Sequence, residues 1–353
     1  ARCSLVDSSP REGVVRALTG AGGCACGGDA AREARDMGTF ATLVPDVLIH
    51  VDDVQAEGGS GRALRDACRR GHLVRVRRGT YCTRDIWDSL DGRQRHILAI
   101  RAVLRRTTGP VLVAGRSAAA LRNLPYAAQE DDDVTLLVPF ADGGSSEPGV
   151  RRTCASYRTA SRDRLDGIPV TDLPRTVLDV ARALPFSRAV AVVDAARSRR
   201  NPSAVELDIL REELDRASFA RGATALARVL DFSTSLSDSV GESEARAEIH
   251  LAGFEVPELQ RRWRDAEGWI VTDFYWGSAD AAGEFDGKVK YTRDEFTHGD
   301  PSAVVWREKR REDRLRRQVR TVVRLVTDTV RDRVALTTLL LEAGIPRRRP
   351  RAR

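Results

Sequence analysis

The stretch WIVTDFYWGSADAAGEFDGKVKY (269–291) decides how the chain is read. Its first eight residues are mostly β-branched or aromatic, a strand pattern with Trp269, Val271, Asp273 and Tyr275 on one face. Small turn-forming residues fill 277–283, and EFDGKVKY (284–291) reads as a second strand. Successive strand side chains point to opposite faces, so Glu284, Asp286, Lys288 and Lys290 share one face while Phe285, Val289 and Tyr291 take the other. Paired as a hairpin, the two strands bring Asp273 close to Glu284. Just upstream, GESEARAEIHLAGF (241–254) predicts a helix over 242–252 capped by the serines before it. Glu242 lies on a stripe with Ala245, Ile249 and Ala252, whereas Glu244 aligns with Glu248 and Leu251; the apolar stripe favours Glu242 as the inward carboxylate.

Clustered carboxylates repel, and burying them is costly unless a cation compensates. A hard divalent ion with oxygen ligands, Mg²⁺ or Mn²⁺, is the simplest compensation. Such an ion polarises a scissile phosphate and lowers the pKa of a bound water, and a nearby lysine stabilises the developing charge. The expected chemistry is phosphodiester hydrolysis. Beyond the two strands, EKRREDRLRRQ (308–318) is strongly helical, with Glu308 and Arg311, Glu312 and Arg316, and Asp313 and Arg317 at pairing distance. VVRLV (322–326) reads as a closing strand.

At these residues the chain resembles the PD-(D/E)XK nuclease superfamily, and more closely its branch related to very-short-patch-repair endonucleases. The resemblance implies a restriction-endonuclease-like α/β core over 241–333. It assigns Glu242 to the helical glutamate, Asp273 to the strand aspartate and Glu284 to the acidic member of the last motif, the three as metal ligands. Asp286 stands where the pattern has lysine, which makes it a secondary ligand or a structural residue and leaves Lys288 or Lys290, on the same face, to assist catalysis.

At the other end, residues 46–85 read as helix, turn, helix, hairpin: apolar residues around 49–54, a Gly-Gly-Ser-Gly break at 58–61, a helix over 62–70, and the alternating strand LVRVRRGTY (73–81). That is the layout of a winged helix-turn-helix. Arg62, Arg65, Arg69, Arg70, Arg75, Arg77 and Arg78 stand there against Asp66 alone, able to neutralise phosphates and reach guanine edges in a major groove. Gly71, Leu73, Arg75, Val76, Arg78, Gly79 and Tyr81 match a "G-x-L-x-R-V-x-R-G-x-Y" wing, and the stretch resembles the N-terminal domain of AbiEi-like antitoxins of type IV toxin–antitoxin systems. The resemblance implies DNA binding, and a cognate toxin as a possible partner.

Residues 92–230 alternate helices and short strands, an α+β scaffold. Its phrases GRSAAALRNLP (115–125) and GIPVTDLPRTVLDVAR (167–182) resemble the middle of actinobacterial proteins that join these two ends. Its polar residues Arg175, Asp179 and Asp194 read as structural. The serine-rich DFSTSLSDSV (231–240) reads as a linker. The fold class expected of the whole is α+β, in three parts.

Composition narrows the alternatives. Apolar residues make up 42% and charged residues 31% of 353, and no run approaches the roughly 18 apolar residues a spanning helix needs, so a soluble cytoplasmic protein is expected. Lys and Arg number 58 against 51 Asp and Glu, a net +7; residues 301–353 hold 16 against 6, leaving 42 against 45 elsewhere. The positive excess thus lies at the C-terminal end, where 346–353 reads as a disordered basic tail. A polyanionic partner, DNA, follows. The six cysteines show no zinc-site spacing. Residues 1–36, ahead of the single Met37, read as a disordered or non-native extension. A non-catalytic antitoxin or autoregulator, its nuclease fold reduced to a binding platform, is the alternative reading.

Overall fold

The structure is a computed structural model that describes residues 47–139, 147–154, 156–217, 219–287 and 301–348, the side chains of 301–308 excepted. The expectations for 1–36, Lys288, Lys290, Glu308 and most of the basic tail lie outside the described residues. The chain is a mixed α+β protein and divides into two compact units, Ala1–Thr176 and Val177–Arg353. No described helix is long and apolar enough to cross a membrane.

The first unit opens with β1 (Ile49–His50), α1 (Val51–Ala56), α2 (Gly61–Arg69), β2 (Leu73–Arg77) and β3 (Thr80–Thr83). The strands form a sheet in the order β1-β3-β2. Gly58 starts the turn between the helices at φ 85°, and Ser60 caps α2 by accepting the Ala63 N–H at 3.2 Å. Leu64 and Ala67 of α2 pack with Ile49, Val54, Leu73 and Tyr81, one small core that holds both helices to the sheet. After α3 (Arg84–Ser89) the long α4 (Gly92–Arg106) starts with a reciprocal Asp91–Gln94 capping box. Then come β4 (Leu112–Val113), α5 (Gly115–Leu121), β5 (Val134–Leu137), β6 (Val150–Thr153), β7 (Arg162–Leu165) and β8 (Ile168–Thr171), a mixed sheet in the order β6-β5-β4-β8-β7. His96 of α4 is wholly buried, its Nε2 2.9 Å from the Ser117 Oγ of α5; burial holds its imidazole pKa down at about 4.

The boundary between the units falls inside α6 (Leu173–Arg182). The second unit continues with α7 (Phe186–Arg197), α8 (Leu207–Ala217), α9 (Ala223–Phe232) and α10 (Val240–Leu251). The serine-rich 231–240 is not a linker between units. Thr234 N–H donates to Asp194 Oδ1 at 2.7 Å, Arg197 donates to Ser233 Oγ at 2.6 Å, and Ser237 and Ser243 bond through their buried hydroxyls at 2.8 Å. Asp194 of α7 in turn receives Arg246 of α10 at 3.0 Å, both almost fully buried, and the guanidinium covers the Phe232 ring at 4.1 Å. Asp194 is thus structural, as its sequence suggested. Ser233, Ser237 and Ser239 there hydrogen-bond to other groups of the second unit.

From α10 the chain runs through β9 (Glu258–Asp265), β10 (Gly268–Trp276), β11 (Ala281–Asp286), α11 (Pro301–Arg316) and β12 (Thr321–Val326), closing with α12 (Thr327–Arg331) and α13 (Arg333–Glu342). The sheet order is β12-β11-β10-β9: an antiparallel meander, with β12 returning parallel to β11 through α11. One face packs Phe274, Trp276, Phe285, Val323 and Leu325 against Ala245 and Ile249 of α10 and Leu336 and Leu340 of α13. The other packs Ile270 and Ala282 against Leu315 and Val319.

Strand alternation fails in one place that matters. Ile270 shares a cluster with Tyr275, five residues on, while Phe274 and Trp276 enter the opposite core. The expected single face of Trp269, Val271, Asp273 and Tyr275 is therefore corrected: parity resets around Asp273. There the ladder pairs Thr272 with Arg261 and Phe274 with Leu259 but skips the intervening residues, and Gln260 takes φ 54°. Gln260, on the neighbouring strand β9, breaks the ladder opposite Asp273.

Candidate functional site

Glu242 occupies the first turn of α10. Ser239, the N-cap, accepts the Glu242 N–H at 3.2 Å and donates its hydroxyl to Glu242 Oε1 at 2.8 Å. Asp238 N–H donates to Oε2 at 2.9 Å, and Gln260 Nε2 approaches the same oxygen at 3.4 Å. The carboxylate is buried, and its pKa is raised first by desolvation and next by the negative charge of Asp273. Glu244 is also buried and also raised, but the charges acting on it are Arg331 and Glu248. Of the two glutamates, Glu242 is the one that feels Asp273.

The helix can come this close because of Gly241. A Cβ there would stand 2.0 Å from Cε1 of Phe285, the inward residue of β11. The bare backbone lets that ring lie under the first turn, which sets Glu242 down beside the sheet. On β10, Asp273 Oδ2 accepts the Phe285 N–H at 2.9 Å, so the aspartate side chain itself bridges to β11 just past the last ladder pair, Phe274 with Gly283.

Along β11, Phe285 enters the apolar core, while Glu284 and Asp286 meet arginines. Glu284 is buried and ion-paired at 2.6 Å with Arg311 of α11, whose other terminal nitrogen donates to Val271 O at 2.6 Å. Asp286 pairs with Arg324 of β12 at 2.7 Å; Arg324 also holds Glu312 at 2.8 Å, and Glu312 holds Arg316 at 2.6 Å. Arg314 clasps Asp265 with two nitrogens at 2.6 and 2.7 Å and pulls that carboxylate's pKa down, and Arg310 reaches Glu267 at 3.0 Å. The basic helix thus spends much of its charge inside the unit. Arg310, Arg311, Arg314 and Arg324 are each held by a carboxylate.

As donors for a hard divalent cation these residues fit in part. Glu242 and Asp273 are carboxylates close enough to repel, the situation a cation relieves. Glu284 sits on the adjoining strand but is already compensated by Arg311, and among the described residues no three of His, Cys, Asp or Glu are grouped to hold a metal ion. Sequence reasoning missed Gln260 and Gly241 altogether. For Arg311 a signal existed: it lies four residues before the buried Leu315, on the helix stripe that faces the sheet.

In the first unit, Arg62, Arg65, Arg69 and Arg70 of α2 and Arg75 and Arg78 of the β2–β3 hairpin are exposed. Arg69 bonds Asp66 and lowers its pKa. Arg77 is different. A bulge between Arg75 and Arg77 breaks the expected alternation, and Arg77 is half-buried, donating to Pro148 O at 2.8 Å and Gly149 O at 3.0 Å. It anchors the hairpin instead of joining the exposed arginines.

No family model matches the chain, and no solved structure matches it. Over 267 residues it is 28% identical to the uncharacterized protein MT2308 of Mycobacterium tuberculosis strain CDC 1551 / Oshkosh, covering 74% of this chain and 89% of the relative. The uncharacterized protein Rv2248 of strain ATCC 25618 / H37Rv is similar to the same extent.

Proposed function

We propose that this is a cytoplasmic DNA-binding protein whose second unit is a metal-dependent endodeoxyribonuclease of PD-(D/E)XK plan. The order α10, β9, β10, β11, α11, β12 supports this reading, with a glutamate on the helix packed against the sheet, and an aspartate and a second glutamate on the neighbouring strands β10 and β11. The observation that carries it is the seating of α10 on β11, where Gly241 lies over the Phe285 ring, Glu242 reaches Gln260 and Asp273 accepts the Phe285 N–H. In this reading Glu242 and Asp273 hold Mg²⁺ or Mn²⁺, Glu284 completes the set, Asp286 assists from β11, and Lys288, two residues on in sequence, assists catalysis. The ion, when bound, polarises the scissile phosphate and acidifies a water. The first unit supplies a winged helix-turn-helix, α2 and the β2–β3 hairpin presenting Arg62, Arg65, Arg69, Arg70, Arg75 and Arg78 to DNA, with Arg77 bracing the hairpin.

The test is cleavage of duplex and single-stranded DNA with Mn²⁺ or Mg²⁺ by the full chain and its Asp273→Ala variant. Metal-dependent cleavage lost in the variant is expected; equal behaviour of the two sinks the assignment. A second reading, a non-catalytic antitoxin or autoregulator acting with a cognate toxin, draws on one observation: Asp286, where the pattern has lysine, is bound by Arg324. DNA binding without any Mn²⁺ binding that depends on Asp273 would favour it.

A further inference from the structure

We infer that the first unit carries a nucleotide site in the cleft along the edge strand β7, which takes a base against the Tyr157–Arg162 pair and a phosphate on Arg164. The inference is independent of the metal chemistry proposed for the second unit. The cleft has a volume of about 710 Å³, ordinary for a small-ligand site, and its lining includes Leu112, Tyr157, Arg162, Arg164 and Pro169. β7 is the outermost strand of the five-stranded sheet. Asp166 and Gly167, at φ 48° and 77°, make the two-residue hairpin turn into β8, which fixes Arg164 opposite Pro169. Arg162 lies two residues back and so on the same face.

Tyr157 packs on a small core of Leu112, Ala114, Leu137 and Ala160. The Arg162 guanidinium covers its ring at 4.6 Å and donates to Tyr157 O at 3.0 Å, while Arg164 donates to Gly167 O at 3.0 Å. Each side chain is steadied by a carbonyl and keeps further N–H donors, so little freedom is lost when a ligand takes them. Charge selects the ligand. Among the described residues neither guanidinium is paired with a carboxylate. The acidic residue of the lining, Asp163, is taken by Arg122 at 2.8 Å, and that guanidinium holds its carboxyl below the usual pKa. Two positive charges therefore stand beside the apolar Leu112 and Pro169. Inorganic phosphate would use the arginines and leave the apolar surface in water, whereas a wholly apolar ligand would cover two charges without compensating them. A nucleotide answers both: its flat base stacks on an aromatic or guanidinium face, and its phosphate takes the charge-assisted donors.

The experiment uses the full chain and its Arg162→Gln, Arg164→Gln and Arg158→Gln variants, all three at exposed positions. Saturation-transfer NMR titrations with AMP, adenosine and inorganic phosphate compare the whole nucleotide with its parts. AMP should bind roughly tenfold more tightly than either part, and Arg162→Gln and Arg164→Gln should each weaken it roughly tenfold, as the loss of one charge-assisted contact would. Arg158→Gln, outside the cleft, should bind as the parent does. A deca-deoxythymidylate carrying one 5-iodouracil identifies the source of the nucleotide. Ultraviolet crosslinks mapped to Tyr157 or β7, and lost in Arg164→Gln, assign it to a single strand; AMP binding without them assigns it to a free nucleotide. The position of the crosslink decides, not the affinity, because the same strand can meet the arginines of α2. AMP binding unchanged in both cleft variants overturns the inference, as does the absence of both AMP binding and cleft crosslinks. Polyglutamate binding more tightly than AMP through the same two arginines also overturns it, in favour of an acidic protein partner. None of these outcomes depends on Mn²⁺ or Asp273, so this inference and the nuclease reading fail separately.

Discussion

Glu242 is under two opposed demands. Its backbone and side chain complete the cap of α10 with Ser239, which favours keeping it in place, while burial and Asp273 disfavour its charge. Because its folded-state pKa lies above the ordinary carboxylate value, the folded chain binds a proton here more tightly than the unfolded chain does. Stability from this group is therefore full at low pH, declines as pH rises from the ordinary carboxylate range through the raised pKa, and stays at its lowest above it. Glu242→Gln removes the charge, keeps one oxygen to accept the Asp238 N–H and turns its amide nitrogen into a donor for Ser239 Oγ. The variant should unfold roughly 2–4 °C higher at pH 7.5, as about 1 kcal/mol would give, and lose that advantage at pH 4; a scan of thermal midpoint against pH decides it. That Glu242 shares a stripe with Ala245 and Ile249 is legible in sequence from helical periodicity, whereas the burial of Glu244 as well is not. The partner of Arg311 is not. Its carboxylate lies 27 positions away in sequence, on a different element, and no local rule reaches that far.

Among elements, the seating of α10 on β11 positions the site, and it depends on one missing side chain. Alanine is the better helix former than glycine by up to about 1 kcal/mol, so propensity alone would make Gly241→Ala stabilising. A methyl group 2.0 Å from a buried ring outweighs that. Forcing the Phe285 ring and helix apart should cost about 1–3 kcal/mol in urea unfolding, and Phe285→Leu in the same chain should recover part of it. If Gly241→Ala is instead neutral or stabilising, the helix has room that this seating denies it. The β11 parity, with Glu284 and Asp286 opposite Phe285, follows from a period of two and is legible. The reset at Asp273 is not, because the left-handed Gln260 that accompanies it sits on another strand and is not a glycine that would advertise itself. The α+β class is legible as well, since alternating short apolar runs and capped helices are local patterns.

For the whole molecule, the net +7 is shared between arginines that are paired and arginines that are exposed. The arginines of α11 and β12 described above are spent on carboxylates, while Arg62, Arg65, Arg69, Arg70, Arg75 and Arg78 stay exposed. The two groups should respond differently to mutation. Arg65→Ala should weaken binding to duplex DNA and reduce the slope of log affinity against log salt by about 1, with the fold intact. Arg77→Ala should instead lower the stability of the first unit by roughly 1 kcal/mol or more through its two lost carbonyl bonds. Fluorescence anisotropy across a salt series, beside thermal unfolding, separates them, and an Arg65→Ala variant with an unchanged slope would remove α2 from the DNA surface.

The serine-rich segment carries a consequence for how the second unit can be divided. Composition invites a cut there, yet a piece beginning at Val240 would keep Arg246 and lose Asp194, stranding a guanidinium in an apolar setting with its counter-charge gone. It would also strip Glu242 of Ser239 and Asp238, the two residues that hold its oxygens. The helix that carries Glu242 and the helices before it are therefore one piece of the fold: a fragment holding the sheet alone would keep Asp273 and lose the groups that hold the Glu242 carboxylate.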